Sequence, residues 1–284
     1  MRCFFVTDLH GHISKYEALF KCIREEVPEL VFIGGDLFAG GFFSRGDGDE
    51  DAVDDILSEG LKSLRKAMGS SYPQIFIIMG NDDPKSSEGS LLEFEKQNLW
   101  NYVNQKHISY KGISIYGYSW VPPSPFLNKD WERYDVSAYV DIGCVAPDEG
   151  YHSADFSLVE ARHRTIAEDL QELTEGRDLS HSVMLFHAPP YQTGLDRAAL
   201  DGKMIDHVPM DVHVGSIAIR RFIEERQPLV TLHGHIHESY DITGVFREKM
   251  GKSICLSAVG KTASLVLVRF DTDNPELAER AEIG

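Results

Sequence analysis

A chain of 284 residues, 42% of them apolar, has the composition of an ordinary globular protein, with room for one large domain or two small ones. The balance of 28 basic against 45 acidic residues leaves a formal net charge of −17, a surface that repels phosphate backbones and argues against long nucleic acids as partners. No apolar run approaches membrane-spanning length, no secretory leader pattern opens the chain, and Cys3, Cys22, Cys144 and Cys255 are scattered without a C-x-x-C pair, so the expectation is a soluble cytoplasmic protein with reduced thiols.

In chain order, Arg2-Cys3-Phe4-Phe5-Val6-Thr7 is a short β-rich run that ends in Asp8-Leu9-His10-Gly11-His12. Ser14 is the expected cap of a helix over 14–27, stopped by Pro28. Leu30-Val31-Phe32-Ile33 is the next strand and ends in Gly34-Gly35-Asp36, so the chain opens as β-α-β. The acidic stretch at 47–51 fails as a calcium loop, because Ala52 stands where the sixth-position Gly is needed and Ser58 where the twelfth-position Glu is needed. It reads instead as a solvated lead into a helix ending near Met68. Gln74-Ile75-Phe76-Ile77-Ile78-Met79 is the third strand, ends in Gly80-Asn81-Asp82-Asp83, and precedes a helix over 90–100.

Beyond Gly112 a strand over 113–118 leads into a Pro-rich, aromatic, irregular stretch at 119–153. A connection this long is functional or disordered, and its aromatics argue against disorder, so a lid or substrate loop is expected there, with plain packing on the sheet edge as the alternative. One long amphipathic helix over 156–175 is predicted next, then the strand Ser182-Val183-Met184-Leu185-Phe186 ending in His187. A polar loop over 191–215 carries Lys203, His207 and His213. After a helix to about 225, the apolar run 228–232 ends in Gly234-His235-Ile236-His237. The β-rich runs at 241–245, 253–257 and 264–268 read as antiparallel strands of a second sheet. No linker or repeat divides the chain, so a single domain over 1–284 is expected.

Seven residues of metal-ligand type end these apolar runs: Asp8, His10, Asp36, Asn81, His187, His235 and His237. One histidine beside a strand is more often a satisfied core residue than a ligand. A full set is different, because the sites of α/β sheets lie outside the C-terminal strand edges, where these groups would converge. The mixed His/Asp/Asn set suits Mn, Fe, Zn, Co or Ni better than Ca or Mg, and no G-x-x-x-x-G-K-[ST] loop is present.

The motif order Asp8-Leu9-His10, Gly35-Asp36, Gly80-Asn81-Asp82-Asp83, His187 and Gly234-His235-Ile236-His237 resembles the calcineurin-like metallophosphoesterases, over residues 3–237. The resemblance implies an α/β fold of the two-sheet α/β/β/α sandwich type and two divalent transition-metal ions, with Mn favoured. It implies that Asp8, His10 and His237 bind one ion, that Asn81, His187 and His235 bind the other, and that Asp36 bridges. It implies hydrolysis of a phosphoester by a hydroxide held between the ions.

The chain departs from the family where the His after the metal-binding Asn is Asp82. A carboxylate there repels a dianionic phosphomonoester more than a monoanionic diester, so a phosphodiesterase is expected. The replacement proton donor is sought among His12, His207 and His213, with His12 first because it lies two residues past His10; Asp83 fits the family's acidic position as an orienting group. Lys129, Arg133 and Lys203 are candidate phosphate contacts or solvated surface charges. Two alternatives stand: a phosphomonoesterase or protein phosphatase on the same site, and a non-catalytic scaffold with this fold. The oligomeric state stays open, and a homo-oligomer is compatible with the sequence.

Overall fold

The computed structural model describes residues 1–38, 49–261 and 263–284, and of residues 49–55 the backbone alone, so the acidic stretch at 47–51 lies outside the described side chains. Its elements in chain order are β1 (Arg2–Val6), α1 (Ile13–Glu26), β2 (Leu30–Gly34), α2 (Asp49–Met68), β3 (Gln74–Ile78), α3 (Glu88–Lys96), β4 (Asn101–Tyr102), β5 (His107–Tyr110) and β6 (Ile113–Tyr118). There follow α4 (Leu158–His163), α5 (Ile166–Leu173), β7 (Ser182–Phe186), the small hairpin β8 (Met204–Ile205) and β9 (Val208–Pro209), α6 (Ile217–Arg226) and β10 (Val230–His233). The chain closes with α7 (Ser239–Thr243), β11 (Arg247–Met250), β12 (Ser253–Ser257), β13 (Leu265–Asp271) and β14 (Glu279–Ile283).

Two six-stranded sheets form, in the orders β14-β13-β1-β2-β3-β4 and β11-β12-β10-β7-β6-β5. Within each, the central strands run parallel: β1, β2 and β3 in the first, β6, β7, β10 and β12 in the second. These strands are mostly apolar because both faces are covered. Alternation sorts their side chains into two layers. Cys3, Phe5, Phe32 and Phe76 meet Val183, Leu185, Val230 and Leu232 between the sheets. Phe4, Val31 and Ile33 turn outward to Tyr16, Leu19 and Leu61 of the helices. The result is the expected two-sheet α/β/β/α sandwich.

Several local expectations are corrected. Ser14 does not cap α1; His12 holds the N-cap position, without a side-chain cap bond, because the turn after Asp8 runs straight into the helix. The helix expected over 156–175 is two helices. Thr165 sits extended between them, its Oγ1 accepting from Glu168 N at 3.2 Å while Glu168 Oε2 accepts from Thr165 N at 3.0 Å. That capping box restarts the helix where the backbone also pairs with Tyr134. Residues 241–245 are α7 and its C-terminal turn, ended by Gly244 at φ +69°, not a strand. The closing strands do not form one antiparallel sheet: β12 pairs parallel with β10, while β13 crosses to pair antiparallel with β1. The edge strands β5, β11 and β14 escaped the sequence reading because they are too polar to register as buried runs.

Part of the stretch 119–153 is packed against the protein, while Phe126, Leu127, Tyr139 and Ile142 stay exposed. Trp131 is fully buried, meets Trp120 edge-on at 5.0 Å, and donates from Nε1 to Asp83 O at 3.0 Å. Lys129, expected as a phosphate contact or a surface charge, is neither: it is 1% exposed and pairs with Glu132. Arg133 likewise pairs with fully buried Asp169 and stacks over Trp120. Replacing Trp131 by Ala is expected to cost about 3–5 kcal/mol of stability by leaving a large cavity. A denaturant titration measures it, and a loss below about 1 kcal/mol would mean that the stretch contributes little packing.

Candidate metal centre

The seven candidate ligands leave five strand ends at one edge of the sandwich. Asp8 and His10 follow β1, Asp36 follows β2, Asn81 follows β3, His187 follows β7, and His235 and His237 follow β10. The turn after β1 is clamped to the one after β2 by Asp8 N to Gly35 O, His10 N to Asp36 O and Gly11 N to Leu37 O, at 3.0, 2.9 and 2.8 Å. Four of the seven lie at positive φ: Asp8 at 56°, His10 at 47°, Asp36 at 51° and His235 at 75°. Non-glycine residues avoid that region, so the strain stored at this edge is held in place by the surrounding hydrogen bonds. His235 and His237 therefore do not share a face by strand alternation, as their spacing suggested; the strand ends at His233 and a turn aims each ring separately.

Ligand atoms of Asp8, His10, Asp36 and His237 all lie within 4.8 Å of one another. His237 Nε2 is 2.9 Å from Asp8 Oδ1 and 3.0 Å from His10 Nε2. On the other side of Asp36, His187 Nε2 is 3.2 Å from Asp36 Oδ2 and 3.0 Å from Asn81 Oδ1. The His235 ring lies 5.3 Å from that of His187, centroid to centroid. His187 Nδ1 meets Gly34 O at 2.8 Å, which leaves Nε2 as the atom facing the cluster. Asp36 thus stands between a group of Asp8, His10 and His237 and a group of Asn81, His187 and His235. Close approach explains the glycines: a Cβ at Gly80 would sit 2.3 Å from Asp36 Oδ1, and one at Gly234 would sit 2.7 Å from Asp8 Oδ2.

A family model for calcineurin-like phosphoesterases matches residues 1–239, the stretch that supplies every one of these groups. The chain belongs to the calcineurin-like phosphoesterase family. It is 34% identical over 265 residues to an uncharacterized protein of Methanocaldococcus jannaschii, covering 92% of this chain and 89% of that one. Among solved structures, TT1561 of Thermus thermophilus matches with a TM-score of 0.59 at 16% identity, over 100% of this chain and 99% of that one. GAP50, the anchor in the inner membrane complex of Plasmodium, matches at 0.50 and 9% identity, over 100% and 88%. At such identities the likeness is one of fold. As a calcineurin-like phosphoesterase, the protein is a metal-dependent phosphoester hydrolase.

The electrostatics fit divalent cations. Burial opposes ionisation of Asp8, but the hydrogen bond and charge of His237 outweigh it and hold the carboxyl below its usual range. Burial likewise opposes ionisation of Asp36, and His187 outweighs it. In return, despite their desolvation, His187 is raised to about 10 by Asp36 and His237 to about 9 by Asp8. The metal-free cluster therefore holds protons where the loaded one would hold cations. Both histidines stabilise the metal-free fold fully below about pH 6.5, and that contribution is lost as pH rises through their folded values of about 9 and 10. Cations need the neutral rings, so binding releases protons. Manganese affinity is expected to rise about ten- to a hundredfold per pH unit between about pH 6.5 and 8. Calorimetry in buffers of different ionisation heat would count the protons released; an affinity flat with pH and no release would contradict this charge state.

The remaining candidates separate by position. Asp83 is fully buried and accepts from Leu37 N, Phe38 N and Gly80 N at 2.7, 3.0 and 2.8 Å, which ties the Asp36 turn to the Asn81 turn. Asp82 is half-exposed at the rim and is pushed up to about 7 in the metal-free protein, first by the charge of Asp36 and then by burial. His12 is exposed at the start of α1, and Lys203 and His207 are exposed on and beside the small hairpin. His213 Nδ1 is 2.7 Å from buried Asp196. Lys15 escaped the sequence reading. It is 7% exposed and donates from Nζ to Asp8 O at 3.0 Å, supporting the left-handed backbone at that ligand. The available signal was a lysine on the buried face of α1, within its first turn.

Proposed function

We propose that this phosphoesterase hydrolyses a phosphodiester. Asp8, His10 and His237 would hold one cation, Asn81, His187 and His235 a second, and Asp36 both. Divalent cations, when bound, supply charge to the phosphoryl oxygens and acidity to the attacking water. The donor set favours Mn, Fe, Zn, Co or Ni, and manganese is the first choice. The protein's own part is preorganisation: five strand ends fix the ligands before substrate arrives, so little reorganisation accompanies the reaction.

The observation that carries the diester reading is Asp82, whose side chain is 41% exposed beside Asn81 and 3.9 Å from His10. Cations on Asp36 would offset the main cause of its raised value, leaving Asp82 ionised in the loaded enzyme. One additional negative charge on a substrate about 6 Å away then costs roughly 1–3 kcal/mol, enough to favour diesters about five- to a hundredfold. The proton donor to the leaving group is sought among His12, His207 and His213. Four free cysteines, three of them buried, support a reducing, cytoplasmic setting. Among the described residues no helix is long and apolar enough to cross a membrane.

The test pairs bis-p-nitrophenyl phosphate with p-nitrophenyl phosphate on the manganese-loaded protein. Diester preference of about tenfold or more is expected. Equal or faster monoester hydrolysis would move the phosphatase reading to first place. Bound metal without turnover on any phosphoester would favour the scaffold.

A further inference from the structure

Asp82 is hydrogen-bonded to two of the seven candidate ligands and lies near a third. Its peptide N–H donates to Asp36 Oδ1 at 2.9 Å. Its Oδ1 accepts from Asn81 Nδ2 at 2.8 Å. Its Oδ2 lies 3.9 Å from His10 Nδ1.

The Asn81 bond decides which end of that amide faces the cluster. With the nitrogen engaged by Asp82, Asn81 Oδ1 points to His187 Nε2 at 3.0 Å. A flipped amide would aim two N–H donors at the cations, and an NH₂ group offers them no lone pair. The His10 ring lies 3.9 Å from the same carboxylate, beyond hydrogen-bond distance, so the Asn81 amide is the ligand group that Asp82 holds directly.

We propose that Asp82 is a positioning residue that holds the Asn81 amide by its nitrogen, so that the amide oxygen is the atom presented to the metal centre. This rests on reading Asn81 as a ligand, and it is separate from the charge rejection assigned to Asp82 above. The side chain at this position thereby acts on cation binding, whatever it does to the substrate.

The experiment compares the full-length chain with its Asp82→Ala and Asp82→Asn variants by manganese calorimetry, with melting of the metal-free proteins to confirm folding. Alanine removes the hydrogen bond to Asn81 Nδ2 and is expected to weaken manganese binding about 10- to 100-fold. Asparagine keeps an oxygen that accepts from Asn81 Nδ2, and should restore binding to within a few-fold of the parent. A purely structural role would show no such rescue. Parental affinity in the folded Ala variant overturns the proposal, and so does an Asn variant as weak as Ala. Monoester rates separate this from the diester reading. A weakened Ala variant, a rescued Asn variant and unchanged monoester hydrolysis in both would support the orientation and overturn the charge rejection.

Discussion

An Asp36→Asn variant is expected to lose about 10³-fold or more in kcat/KM on any phosphoester, since the group removed is the one proposed to hold both cations. Asp36 is 1% exposed, with Oδ2 at 3.2 Å from His187 Nε2 and Oδ1 accepting from Asp82 N. Asparagine preserves the shape and one accepting oxygen, so the fold is expected to survive while the shared negative charge is lost. Bound manganese should fall from two ions to one or fewer per chain. A second reading comes from the histidines. The charge of Asp36 is what lifts His187, against its own desolvation, so in the metal-free variant that ring should titrate well below about 10, as seen by proton NMR. A variant that keeps both ions and within about tenfold of the parental rate would remove Asp36 from the bridging position.

An Asp82→His variant is expected to shift the ratio of monoester to diester kcat/KM about 10- to 100-fold toward monoesters. The shift has two sources. Removing the carboxylate lifts the roughly 1–3 kcal/mol charge penalty on a dianion. An imidazole at the rim adds a proton donor, worth about 10²-fold or more on substrates with poor leaving groups and little on p-nitrophenyl esters. Comparing alkyl with p-nitrophenyl substrates therefore separates the two. Metal content has to be measured alongside, because Asp82 also holds the Asn81 amide through a 2.8 Å hydrogen bond. An unchanged substrate ratio at full metal occupancy would show that the side chain at this position does not select the substrate's charge.

The candidate ligands were readable because each ends an apolar strand, and a buried parallel strand announces itself as a short run of Val, Ile, Leu and Phe. Asp8, Asp36, Asn81 and His187 all stand directly at such ends, and the structure brings them to one edge. What was not readable depends on contacts distant in sequence. Nothing in residues 265–271 says that they pair with residues 2–5 and not with the preceding strand. The break at Thr165 reflects a pairing with Tyr134 that a continuous amphipathic pattern hides. Lys129 and Arg133 looked like surface cations because a charge run does not reveal that Glu132 and Asp169 wait beneath it. The buried seat of Trp131 was equally invisible, although its aromatic neighbourhood marked the stretch as ordered.

The crossing of β13 to β1 has a consequence for how the protein is made. Strand β1 sits at the middle of its sheet and is flanked on one side by a strand that emerges more than 250 residues later. Until then the open edge of Cys3, Phe4 and Phe5 offers unpaired backbone to any other nascent chain. A ribosome-stalled or C-terminally truncated product that ends before Leu265 would carry all seven candidate ligands and still expose that edge. Such fragments should collect in inclusion bodies, whereas the complete chain closes its own sheet.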